Sequence, residues 1–120
     1  MKFCWCTIQV KDMEESLTFY QEIVGLPLTK RFRGGDVVEI AFLGNEPTKV
    51  ELICNTKQPP EGSGKGISLG FEVGNLDDAM QSINEKGIKI EGGPFAPNPQ
   101  TRFFYIKDPN GVKVQFVENK

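Results

Sequence analysis

The feature that most constrains this chain is that it repeats itself. Slid along itself by 63 positions, the 120-residue chain lays Thr7 to Asp12 on Gly70 to Asn75, so that Val10 meets Val73 and Asp12 meets Asn75. A shift of 64 lays Val50 to Ile53 on Val114 to Val117. Identity between the halves is low, so the repeat is one of pattern. A repeat on this scale is a duplicated supersecondary unit: one unit leaves an apolar sheet face uncovered, and two can bury or share it.

Each half reads as strand, helix, strand, strand, strand. Phe3 to Val10 is rich in aromatic and β-branched residues and predicts a strand. Asp12 is an N-cap, with Glu15 placed as in a capping box. Leu17, Tyr20, Ile23 and Val24 follow at helical spacing, and Gly25 stands where a left-handed cap would end a helix over 13–24. Leu28 to Arg33, Val37 to Leu43 and Lys49 to Cys54 predict a strand meander. The segment 56–66, TKQPPEGSGKG, has the composition of an exposed linker. The pattern then restarts with a strand over Ile67 to Val73. Asn75 caps a helix carrying Leu76, Ala79, Met80 and Ile83, which Gly87 ends. Ile88 to Glu91, Arg102 to Ile106 and Val112 to Val117 predict three more strands. Gly92 to Gln100, with Pro94, Pro97 and Pro99, reads as an irregular loop, and Asp108-Pro109-Asn110-Gly111 as a tight turn. The expected fold is α+β: two tandem βαβββ modules, 1–55 and 67–120, whose mixed sheets form a concave cavity.

Fourteen basic residues against sixteen acidic ones, with no run of like charge, leave no footprint for nucleic acid or an anionic membrane. No stretch approaches the roughly 20 apolar residues of a membrane span, and the first ten residues do not read as a signal peptide. A soluble, cytoplasmic protein with a small-molecule ligand is expected. Cys4, Cys6 and Cys54 are an odd count in strand-like contexts, which suits free thiols. The chain has no histidine, and so lacks the commonest general base and transition-metal ligand.

The runs TIQVKDMEESLTFYQEIVGL, VELI, ISLGFEVGNLDDAM and YIKDPNGVKVQFVE resemble the vicinal oxygen chelate superfamily of glyoxalase I, bleomycin-resistance proteins and extradiol dioxygenases. The likeness covers nearly the whole chain. Its most specific parts are the V-x-D-x-x-x-S-x-x-F-Y stretch from Val10 to Tyr20 and the D-P-x-G turn. The resemblance implies one domain made of both modules, in which four strand residues can hold a divalent ion. Carried onto this chain, those positions are Trp5, Glu51, Ser68 and Gln115. The repeat agrees, since Trp5 maps on Ser68 at the shift of 63 and Glu51 on Gln115 at 64. An indole ligates nothing, a serine hydroxyl is a poor neutral ligand, and an amide oxygen is uncharged, so Glu51 is the one good donor. No resident metal or other cofactor is expected.

Trp5 is either a core residue of the opening strand or a flat surface on which a ring or cation stacks. Glu51 reads as a pocket-lining carboxylate and the candidate base, with Arg31, Arg33, Arg102 or a cationic ligand as its partner. Ser68 and Gln115 are hydrogen-bonding groups, and Thr7, Gly70 and Phe104 are further candidates for the cavity wall. Gly62-Ser63-Gly64-Lys65 lacks the spacing and following helix of a phosphate loop. The leading expectation is a metal-free binding protein that sequesters an aromatic or cationic molecule and forms a homodimer. Set against it are a glyoxalase I-type lyase, a metal-independent enzyme with Glu51 as base, and an interaction protein with a vestigial cavity.

Overall fold

The structure, a computed structural model, describes residues 1–60 and 64–120. It divides into two compact units, Met1–Gly62 and Ser63–Lys120. The middle of the expected linker, and with it half of the Gly62-to-Lys65 stretch, lies outside the described residues.

The first unit runs β1 (Trp5–Gln9), α1 (Met13–Thr18) with a π-helical continuation (Phe19–Val24), β2 (Leu28–Arg33), β3 (Val38–Leu43) and β4 (Lys49–Asn55). The second runs β5 (Ser68–Glu72), α2 (Leu76–Glu85), β6 (Gly92–Asn98), β7 (Thr101–Lys107) and β8 (Lys113–Asn119). Each unit forms one four-stranded mixed sheet, in the order β1-β4-β3-β2 or β5-β8-β7-β6. The first strand of each is parallel to the last, and the other pairs are antiparallel. The parallel pairing requires a crossover, and the helix together with the two intervening strands supplies it. The fold is therefore α+β with two tandem βαβββ modules.

Both helices start by the same device. Asp12 (φ −144°, ψ 114°) accepts from the Glu15 amide, and Asn75 (φ −142°, ψ 115°) accepts from the Asp78 amide, each at 3.0 Å. Each side chain satisfies one of the amides that a helix start leaves without a partner. The first helix covers the span expected from its spacing but widens into π geometry at Phe19. Phe19 and Tyr20 are adjacent yet both buried, their rings edge to face at 5.0 Å. A local π turn lets two neighbouring large side chains share one buried face. Gly25 ends this helix at φ +87°, as a left-handed cap requires.

The second helix has a further anchor. Glu118 of β8, almost fully buried, accepts from the Leu76 amide at 2.8 Å and from Arg102 at 3.4 Å. The Leu76 hydrogen bond leads in holding its carboxyl below the ordinary carboxylate value, against burial and with help from the Arg102 charge.

One part of the expected strand pattern is corrected. Residues 88–91 form no strand, and the strand is Gly92–Asn98, expected as a loop because of its prolines. β6 is an edge strand paired only with β7, and its register shifts on both sides of Phe95. An edge tolerates Pro94 and Pro97, because its missing N–H groups need no partner on the open side. A Cβ on Gly92 would lie 2.5 Å from the Tyr105 ring, so only glycine fits where β6 crosses that side chain.

Strand alternation sorts each sheet into two faces. The helix side carries the core: Ile8, Ala41, Leu43, Val50 and Leu52 in the first unit, and Phe104, Ile106, Val114 and Phe116 in the second. Among the described residues, no helix is long and apolar enough to cross a membrane.

Candidate ligand-binding faces of the two sheets

In the first module, Trp5 and Thr7 of β1 point away from the helix, opposite the intermediate Cys6 and the core residues Ile8 and Val10. β1 lies beside β4 in a register that pairs Thr7 with Glu51, and β3 pairs Phe42 with Glu51 from the other side. Cross-strand partners share a face, so Trp5, Thr7, Glu51 and Phe42 are neighbours. The Thr7 hydroxyl donates to Glu51 Oε1. Glu51 is only 8% exposed, so this hydrogen bond partly offsets the cost of burying a carboxylate.

Around that pair the face is aromatic. Trp5, 50% exposed, meets Phe42 edge to face with ring centroids 5.4 Å apart. Phe32 of β2 stacks on Phe42 at 6.4 Å, and Lys30 Nζ lies 6.0 Å from the Phe42 centroid. Beyond the ends of β1 and β4, Gln9, Ile53, Asn55, Gln58, Pro59 and Pro60 line a cleft of about 600 Å³.

The equivalent face of the second module carries Ser68 and Gly70 of β5, Gln115 of β8 and Tyr105 of β7, with Gln115 opposite both Gly70 and Tyr105. Gln115 Nε2 donates to Ser68 Oγ at 3.4 Å. Gly70 leaves room beside Gln115 Oε1, which is 4.0 Å from where a Cβ would stand. Phe95 stacks on Tyr105 at 6.4 Å and lies 5.3 Å from Phe103, while Lys113 Nζ sits 4.3 Å from the Tyr105 centroid.

Each module thus brings its own candidates together: Trp5, Thr7 and Glu51 in one, Ser68, Gly70 and Gln115 in the other. Phe104 is corrected. It is fully buried on the helix side, stacked on Phe116 at 5.1 Å, because it lies one residue out of phase with Phe103 and Tyr105 on the opposite face. The partner of Glu51 is Thr7, not an arginine. Arg31 pairs with Glu14 and Glu39, Arg102 with Asp77 and Glu118, and Arg33 donates to the Asp36 carbonyl.

Phe32, Phe42, Phe95, Phe103 and Tyr105 were not among the residues singled out from sequence. The shift of 63 that lays Trp5 on Ser68 also lays Phe42 on Tyr105 and Phe32 on Phe95. Carried past the metal positions, it would have found these four; Phe103, which falls on Ile40, has no aromatic counterpart.

Neither module's donors suit a catalytic divalent ion. Glu51 is the only anionic group of the four positions, its near oxygen engaged by Thr7 and its neighbours aromatic. Ser68 and Gln115 offer neutral oxygens, and Trp5 offers no lone pair. Among the described residues, no three histidine, cysteine, aspartate or glutamate side chains cluster as a metal site.

Comparison with known proteins agrees with the topology. The family model described as Glyoxalase/Bleomycin resistance protein/Dioxygenase superfamily matches residues 2–116. The chain is 34% identical over 118 residues to an uncharacterized Bacillus subtilis protein, YwbC, covering 92% of each chain. It is 28% identical over 130 residues to a lactoylglutathione lyase of Neisseria meningitidis, covering all of this chain and 92% of the lyase. Among solved structures, the antibiotic binding protein TnmS3 from Streptomyces sp. CB03234 superposes with a TM-score of 0.80 at 21% identity, over all of this chain and 97% of that one.

Proposed function

The chain belongs to the glyoxalase/bleomycin resistance protein/dioxygenase superfamily, and from that premise we propose that it is a metal-free member that sequesters a small aromatic or cationic molecule. The observation that carries this reading is the half-exposed indole of Trp5, set edge-on to Phe42 beside the Glu51–Thr7 pair. A flat apolar surface next to a recessed carboxylate recognises a ring that bears or adjoins a positive charge. Stacking on an aromatic is worth about 0.5–1.5 kcal/mol beyond buried area, and a desolvated cation–π contact about 2 kcal/mol. Such a face supplies affinity without a reacting group. The same proposal takes the working form to be a cytoplasmic homodimer, to be checked by its mass in solution.

Trp5 is the only tryptophan, so tryptophan emission, excited selectively over that of the two tyrosines, reports this face alone. Titration with benzyltrimethylammonium is expected to change that emission saturably. Glu51→Gln should weaken binding about tenfold, the scale of one charge interaction, while the response to neutral benzyl alcohol stays the same. Tight one-to-one binding of Ni²⁺, Zn²⁺ or Fe²⁺ would overturn the metal-free reading.

A second reading rests on the full-length likeness to lactoylglutathione lyases. In it, Glu51 is the general base that moves a proton on a thiohemiacetal. Turnover of methylglyoxal with a thiol, abolished by Glu51→Gln, would replace the sequestration reading with this one.

A further inference from the structure

The second module holds a cleft that adjoins its aromatic face through Ser68 and Lys113 but is lined mainly by lysines and backbone. It measures about 370 Å³ and is lined by Lys65, Lys107 and Lys113 together with Ser68 and the backbone of Gly66 and Gly111. We propose that this cleft binds an oxyanion, the carboxylate or phosphate group of a small molecule.

Charge placement carries the argument. Lys107 and Lys113 are directly opposite each other on β7 and β8, and like charges in that position oppose pairing. Lys113 is also the register partner of Ser68 on β5, which brings a hydroxyl donor beside the ammonium groups. None of the three lysines forms an ion pair with a described carboxylate; the Lys113 ammonium lies over the Tyr105 ring, 4.3 Å from its centroid. Asp108, the nearest acid in sequence, turns Oδ1 to the amides of Asn110 and Val112 at 2.8 Å. A chain of net charge −2 thus gathers three cations on one concavity whose described lining holds no carboxylate. A bound anion relieves that repulsion and accepts from all three.

The cleft also has a fixed form. A Cβ on Gly64 would stand 3.1 Å from Val112, and the Ile67 amide donates to the Gly64 carbonyl at 3.2 Å, closing the turn that carries Lys65. Exposed Ile67 adds an apolar rim, which suits an anion carried on a short hydrocarbon stem. The volume falls in the range of small-metabolite pockets, roughly 300–1,000 Å³. This site goes beyond the aromatic reading and does not depend on it, because it uses neither Trp5 nor Glu51.

The test is amide chemical-shift titration of the full chain with inorganic phosphate, acetate, phenyl phosphate and phenylacetate at constant ionic strength. Saturable shifts at Gly66, Ser68, Lys107 and Gly111 are expected. The phosphate and carboxylate arms decide which oxyanion the cleft prefers, and the phenyl pair measures the gain from the apolar rim. Lys107→Gln and Lys65→Gln should each weaken binding about tenfold, the scale of one charge-assisted hydrogen bond. Lys107→Gln removes a like-charge contact, so it should fold at least as well as the parent, which a thermal melt checks. Shifts that stay linear to about 0.1 M, that chloride reproduces at the same ionic strength, or that survive Lys107→Gln undiminished would overturn the site. Loss of benzyltrimethylammonium binding would leave it standing.

Discussion

The two modules fill the space between sheet and helix by opposite means. At the shift of 63, Phe19 and Tyr20 of the first helix correspond to Ser82 and Ile83 of the second, and Ala41 corresponds to Phe104; at 64, Leu52 corresponds to Phe116. The first module therefore places its aromatic bulk on the helix and a small residue on the sheet. The second stacks two phenylalanines on the sheet, 5.1 Å apart, under a smaller helix face. On the other side of each sheet Trp5 gives way to Ser68 and Glu51 to Gln115, but the stacked ring pair is kept. Phe32 on Phe42 and Phe95 on Tyr105 share a centroid distance of 6.4 Å and an interplanar angle of 18°. Core volume can pass from one element to the other as long as the total is filled. A stacked pair on a face without a helix has no such freedom, since its geometry follows from the register.

The sharpest way to break the comparison is to give one module the other's small residue without its compensating ring. Phe104→Ala should cost about 3–5 kcal/mol, the range for emptying a buried aromatic site, read from the urea midpoint. Adding Ser82→Phe and Ile83→Tyr should recover part of that loss if the two cores are alternative fillings of one frame. No recovery would mean that the sheet and helix spacings have diverged as well. The reverse substitution, Ala41→Phe, adds bulk at a fully buried position on the helix side of the first sheet and should cost about 1–3 kcal/mol by overpacking.

These differences also explain which parts of the molecule were legible in the sequence. The caps, the succession of elements along the chain and the two tandem modules follow from local rules: Asp12 and Asn75 precede apolar helical stripes, and Gly25 and Gly87 follow them. β6 was not legible, because proline signals a loop unless the strand is known to be an edge, and edges are set by tertiary pairing. Trp5 and Thr7 could be placed on one face because strand parity is local, whereas Glu51 joined them only through the family resemblance and the repeat. Phe104 was placed on the wrong face by one residue in an unbroken aromatic run, Phe103-Phe104-Tyr105, where alternation gives no phase. The Thr7–Glu51 hydrogen bond depends on the parallel register of β1 on β4, which no local signal sets.

The helix starts should be the most evenly matched part of the pair. Asp12→Ala and Asn75→Ala should each cost about 1 kcal/mol, since each removes one side-chain cap of the same geometry. Hydrogen exchange resolved by module can compare them directly. A clearly larger cost at Asp12 would show that the π-helical continuation makes the first helix depend more on its cap.

The smallest expected difference is one of pH. At the shift of 64, Glu118 corresponds to Cys54, whose thiol lies 3.8 Å from the Lys11 carbonyl. The second module thus ties its sheet to the helix start with a charge, and the first with a neutral group. The folded state holds the Glu118 carboxyl below its ordinary value of 4.5, so between the folded and ordinary values the unfolded chain binds more protons. Stability should therefore rise with pH across that window. The contribution is complete above the ordinary value and fades as the pH falls through the folded one. Acidification should loosen α2 before α1, seen as earlier loss of exchange protection at Leu76 and its neighbours. Glu118→Gln should flatten this difference, because an amide still accepts from Leu76 but does not titrate. Equal acid sensitivity of the two helices in the parent protein would mean that other carboxylates set the acid limit.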